Sequence, residues 1–122
     1  MSDKQWQSIV GFSHAWNGIK AATRTEGNFR IHLITAFAVI SAGIFFRLTV
    51  IKWLMIIVAI GFVLAVELLN TAIEKMLDYL KPDIHPHAKV IKDLAAGAVL
   101  VSAMTAAVVG LLVFLPEIYE LV

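Results

Sequence analysis

Four apolar stretches, separated by short polar breaks, organise the chain. Over residues 4–24, Trp6, Ile9, Val10, Ala15, Trp16, Ile19 and Ala22 recur near helical spacing, with Lys4, Gln7, Ser13, Asn17, Lys20 and Arg24 between them. That pattern predicts an amphipathic helix, and tryptophans on its apolar side suit the headgroup zone of a bilayer. A surface helix of a soluble domain would carry the same pattern, but the runs that follow favour the membrane interface. The first of these, residues 31–46, is uncharged and bracketed by Arg30 and Arg47. A crossing helix takes roughly 17–25 apolar residues, so this span is short and its arginines are expected to snorkel. The second span starts near Val50, with Lys52 and Trp53 at its edge, and continues without a breaker through Glu67 and Glu74 to about Leu80. Lys81-Pro82-Asp83 closes it, because proline cannot continue a helix. A loop over residues 81–89 follows. The third span starts near Lys92-Asp93, runs uncharged from Leu94 to Leu115 and is expected to end at Pro116, giving a helix over 92–115.

Composition makes the membrane reading firm. Hydrophobic residues are 60% of 122 and the mean hydropathy is +0.85. A soluble unit this small buries too little of its surface to hide so much apolar area. The fold class expected is therefore all-α and membrane-embedded, in one unit over residues 1–122, with the N-terminal segment 1–29 lying at the interface. Nothing over the first thirty residues reads as a cleaved signal, so the N-terminus is expected to be retained. The absence of cysteine excludes a disulfide framework and thiolate metal sites. A net charge of +1 gives no indication of a nucleic-acid partner. Its distribution orients the chain: eight of the ten Lys and Arg lie in the N-terminal segment and in the stretch from Lys75 to Lys92 around the second loop, which share a side when there are three spans. That side, with the N-terminus, is expected to be cytoplasmic. In the third span Ala96, Ala103, Ala107 and Gly110 form a stripe of small residues, with Ala95, Gly97, Ala98, Ser102 and Ala106 beside them, which lets helices approach closely in lipid and favours self-association.

Charge inside the second span carries the chemistry. Glu67, Asn70 and Glu74 stand at i, i+3 and i+7, within about 60° on one helix face, the two carboxylates about 10 Å apart along the axis. Glu67 follows a long uncharged run, and a carboxylate at membrane depth points to function by default. Topology brings Glu26 and Lys92-Asp93 to the same face. Oxygen ligands in this number suit Mg²⁺ bound through one or two carboxylates and phosphate oxygens. A lysine beside a metal suits a polyphosphate, and Glu67 is placed to take the proton of a lipid hydroxyl. His85-Pro86-His87 lacks helical metal-ligand spacing, while His14 and His32 lie near headgroup depth, where contact with phosphate and no role at all are both open. No Walker loop, GxGxxG motif or soluble-kinase catalytic loop is present.

The run Glu67-Leu68-Leu69-Asn70-Thr71-Ala72-Ile73-Glu74, followed by Lys92-Asp93-Leu94-Ala95-Ala96-Gly97, resembles the prokaryotic diacylglycerol kinase family. Glu26-Gly27-Asn28-Phe29-Arg30-Ile31-His32 and the positions Phe12, Ala15 and Gly18 extend the likeness over about residues 8–115. The resemblance implies a surface helix, three transmembrane helices and a homotrimer in the bacterial cell membrane, with active sites between subunits at the cytoplasmic face. It implies transfer of the γ-phosphoryl of ATP to a lipid alcohol. Glu67 then serves as general base, and Asn70 orients the site. Glu26 and Glu74 hold Mg²⁺, while Lys92 and Asp93 contact the nucleotide. Asp83 and His85 lie near the nucleotide, and His14 stands at an aromatic position over ATP. Arg30-Ile31-His32 and His85-Pro86-His87-Ala88-Lys89 are similar to the Gram-positive branch, which implies undecaprenol as acceptor, with diacylglycerol as the alternative.

Two other classes fit a small oligomeric membrane chain. A proton-coupled transporter would place its glutamate nearer the midplane. A non-catalytic scaffold would tolerate loss of Glu74 and yield no ATP-dependent product.

Overall fold

A computed structural model describes residues 2–80 and 86–122. It contains four helices: α1 Asp3–Thr25, α2 Gly27–Phe46, α3 Val50–Leu80 and α4 Pro86–Leu121. Helices α2, α3 and α4 are each long and apolar enough to cross a membrane, and the chain is a membrane protein. Among the described residues there is no strand.

Helix α1 opens with a capping box: Gln5 N–H donates to the Ser2 hydroxyl and Ser2 N–H donates to Gln5 Oε1, at 3.3 and 2.7 Å. These two bonds satisfy amide donors that the first turn otherwise leaves open. The helix ends at a corner residue, Glu26, whose extended backbone (φ −109°, ψ 109°) separates α1 from α2. Arg30 fastens this corner by donating from Nη1 to the carbonyls of Thr23 and Arg24 at 3.2 and 2.7 Å. The carbonyls at the end of α1 have no helical partners of their own, and a guanidinium is well suited to fill several at once.

This corner corrects the expected first span. Helix α2 has 20 residues and starts at Gly27 instead of residue 31. At 1.5 Å per residue it is about 30 Å long, enough for the hydrocarbon layer. Arg30 lies within its first turn, turned back onto α1, and does not mark its edge. At the other end Arg47 takes the left-handed conformation (φ 53°), with Arg47 N–H donating to Ile44 O and Leu48 N–H to Gly43 O. This is a Schellman closure with arginine where glycine is more usual. Gly43 is needed nearby: a Cβ there would sit 2.7 Å from Trp53 Cη2 and 3.1 Å from Leu48 Cδ1.

Helix α3 has the expected bounds. Helix α4 differs from expectation at both ends. It starts at Pro86 instead of near 92, because proline at a first helical position forfeits no bond and has a suitable φ. It passes through Pro116 to Leu121. Proline removes one backbone bond, yet the turn around it is held by tertiary contacts: Lys52 Nζ lies 2.7 Å from Glu117 Oε1, and Phe114 packs on Phe46 at 6.0 Å between ring centres. Local propensity yields to packing here.

Helices α3 and α4 form the most extensive helix pair. Ala95, Ser102 and Val113 of α4 are buried, Ser102 completely. Ala95 and Ser102 make the close approach, while Ala103, Ala107 and Gly110 line an open apolar cavity of about 370 Å³ with α2 and α3. The apolar core of Leu48, Ile56 and Val113, ringed by Trp53, Phe46 and Phe114, lies at the Lys52 end of the bundle. Glu67 lies fifteen residues further along α3, about 22 Å from Lys52 along the axis. The polar site is therefore at the opposite end from the core.

Candidate active site at the polar end of the bundle

Three elements converge at this end: the α1–α2 corner, the second half of α3 and the start of α4. Glu67 is 3% exposed on α3, with Thr71 buried one turn on. Its Oε2 is buried and has no hydrogen-bond partner among the described residues, and the same holds for Asn70 Oδ1. Buried polar atoms are nearly always paired, so two orphans on one helix face indicate atoms kept for a ligand or a partner chain. The imidazole Nε2 of His32, on the first turns of α2, lies 3.6 Å from Glu67 Oε2. That is ion-pair range but longer than a hydrogen bond.

Two helical turns on, Glu74 is half-buried on the same face. The α1–α2 corner brings Glu26 to that level: its Oε1 is 3.6 Å from Lys75 Nζ, the residue after Glu74. Lys92 reaches across from α4 to Asp78 of α3 at 2.8 Å, and Glu74 is near enough to act on the same ammonium. Asp93 pairs along its own helix with Lys89 at 2.8 Å. His14 is exposed on α1. Asp83 and His85 lie outside the described residues.

The structure thus gathers Glu67, Asn70, Glu74, Glu26 and Lys92 at one end. It sets Asp93 apart in an exposed helical pair. It adds two residues that sequence reasoning left out, Lys75 and Asp78, and brings His32, whose role was open, against Glu67. Asp78 continues the face of Glu67, Asn70 and Glu74 by one more turn, and that periodicity was available in the sequence. Lys75 and His32 carried no such signal, since their relevance rests on which helix lies opposite.

Among the described residues no three His, Asp or Glu side chains converge as a ready-made metal cage. Mg²⁺ does not require one. It keeps waters, and takes one or two carboxylates together with substrate phosphates. Glu26 and Glu74, at one level with Lys75 and Lys92 beside them, fit a cation that arrives with a polyphosphate.

A family model described as prokaryotic diacylglycerol kinase matches residues 13–114. An undecaprenol kinase of Bacillus subtilis is 46% identical over 107 residues, 88% of this chain and 87% of that protein. A diacylglycerol kinase of Synechocystis is 40% identical over 114 residues, 93% of this chain and 65% of that protein. The diacylglycerol kinase of Escherichia coli K12 is 26% identical over 100 residues, 82% of each chain.

Proposed function

The chain belongs to the prokaryotic diacylglycerol kinase family, and on that premise we propose that it is a lipid kinase that transfers the γ-phosphoryl of ATP to the hydroxyl of undecaprenol. The observation that carries the reading is the Glu67 carboxylate, buried in the second half of an apolar helix long enough to cross a membrane, its Oε2 without a hydrogen bond among the described residues, on one face with Asn70 and Glu74. Undecaprenol is favoured over diacylglycerol by the 46% identity to a kinase of that name.

In this reading Glu67 takes the proton of the lipid hydroxyl as its oxygen attacks the γ-phosphorus, the bond to the bridging oxygen breaks, and ADP leaves. Asn70 orients the acceptor. Glu26 and Glu74 hold Mg²⁺, which when bound offsets negative charge on the phosphates. Lys92, steered by Asp78, adds a second positive charge, because phosphoryl transfer depends on positioning and charge stabilisation. Asp93, His14, Asp83 and His85 complete the nucleotide side.

The assembly proposed is a homotrimer in the bacterial cell membrane, built from one unit over residues 1–122, with the site and N-terminus cytoplasmic. Glu67 Oε2 and Asn70 Oδ1 have no hydrogen-bond partner among the described residues, and a neighbouring subunit would supply the missing wall. Helix α1 lies in the interface: Trp6, Phe12 and Trp16 are exposed in the single chain, as an interfacial helix requires. The test is transfer from Mg-ATP to undecaprenol in detergent micelles, with the product identified by mass. ATP-dependent undecaprenyl phosphate that disappears on chelation of Mg²⁺ supports the reading. A folded protein that yields no phosphorylated lipid overturns it.

A further inference from the structure

We propose that His32 is a positioning residue for Glu67, donating its Nε2–H to the carboxylate and holding it toward the lipid hydroxyl. The inference rests on the general-base reading of Glu67 and deepens it. Three observations carry it. Glu67 Oε2 is buried without a hydrogen-bond partner among the described residues, an arrangement that needs an explanation in a buried carboxylate. His32 Nε2 stands 3.6 Å from that oxygen, so a shift of about 0.8 Å makes a charge-assisted hydrogen bond. Such bonds are often long without substrate and tighten in the reacting complex. His32 also lines the apolar cavity between α2, α3 and α4, where Thr35 is the other polar side chain. It therefore stands at the boundary between the hydrocarbon side and the base.

A carboxylate on a long flexible side chain has several staggered rotamers, and only some aim a lone pair at the acceptor. A fixed donor on the facing helix removes that freedom. In the transfer step the hydroxyl proton passes to Glu67 and the new O–P bond forms. His32 retains its own proton throughout, so a neutral donor of similar reach can replace it.

The experiment compares wild type, His32→Gln and His32→Leu in mixed micelles, measuring kcat and KM for Mg-ATP and for undecaprenol. Leucine removes the donor and fills the space; glutamine restores an N–H. Loss of carboxylate aim lowers kcat about 100-fold in His32→Leu. KM for Mg-ATP stays within about twofold, and His32→Gln recovers to within about fivefold of wild type. Full activity in His32→Leu, or equal losses in both variants, overturns the proposal. A second readout needs no turnover: the imidazole ¹⁵N resonances of His32, assigned by their loss in His32→Gln, should move in Glu67→Gln. Unmoved resonances overturn the proposal even where His32→Leu does not fold. Wild-type protein that phosphorylates no lipid would instead sink the kinase reading, while a shifted resonance would still place the donor on Glu67.

Discussion

Replacing Glu67 by glutamine separates what this side chain does for the reaction from what it does for the fold. The substitution keeps shape and volume but removes the charge and the basic oxygen. A positioned general base is worth about 10²–10⁴-fold, or about 3–5 kcal/mol in the barrier at 1.36 kcal/mol per decade. Glu67 is 3% exposed and its Oε2 has no hydrogen bond among the described residues, so in the resting chain it costs stability. An unsatisfied buried polar group costs about 1–3 kcal/mol, and more when it is charged. The neutral amide is cheaper to bury. Glu67→Gln is therefore expected to lose at least about a hundredfold in kcat while melting no lower than wild type. Phosphoryl transfer in mixed micelles measures the first, and tryptophan fluorescence during heating measures the second. Activity within about tenfold of wild type would refute the base role, since that falls below what a general base supplies. A fall in melting temperature together with activity would refute the claim that burying this carboxylate costs stability.

Other residues give further expected outcomes. Glu26→Gln and Glu74→Gln should raise the Mg²⁺ concentration for half-maximal rate about tenfold or more, read by titrating Mg²⁺ at fixed ATP. Lys92→Met should raise KM for Mg-ATP more than it lowers kcat, whereas Asp78→Asn, which frees Lys92 from its 2.8 Å pair, should have a smaller effect of the same kind. Lys52→Met leaves Glu117, 16% exposed, without its 2.7 Å partner and should destabilise by about 1–3 kcal/mol, with recovery on adding Glu117→Gln and no change in kcat. Gly43→Ala drives a methyl to 2.7 Å from Trp53 and should destabilise by about 1–3 kcal/mol in the same melting assay.

Much of this was legible in the residue order, for a physical reason. Lipid imposes long apolar runs, so α3 has the bounds that its pattern predicts, and the carboxylates in its second half are visible because charge at that depth is rare. Errors cluster where a local rule meets a tertiary contact. Pro116 reads as a stop, but Glu117 and Phe114 anchor the turn on both sides of it. Arg30 reads as the edge of a span, yet its guanidinium caps another helix. Lys92 and Asp93 read as a unit, while helical geometry turns one to α3 and the other to Lys89. His32 was undecidable before folding, since only the approach of α2 to α3 reveals that it faces Glu67.

The central claim is the acceptor together with the reaction. Mixed micelles containing equal amounts of undecaprenol and diacylglycerol, given ATP labelled at the γ-phosphate and Mg²⁺, let the two alcohols compete for one site. The account predicts label chiefly in undecaprenyl phosphate, and none with Glu67→Gln. Label chiefly in phosphatidic acid would contradict the acceptor, and a folded wild-type protein that labels neither lipid would contradict the kinase itself.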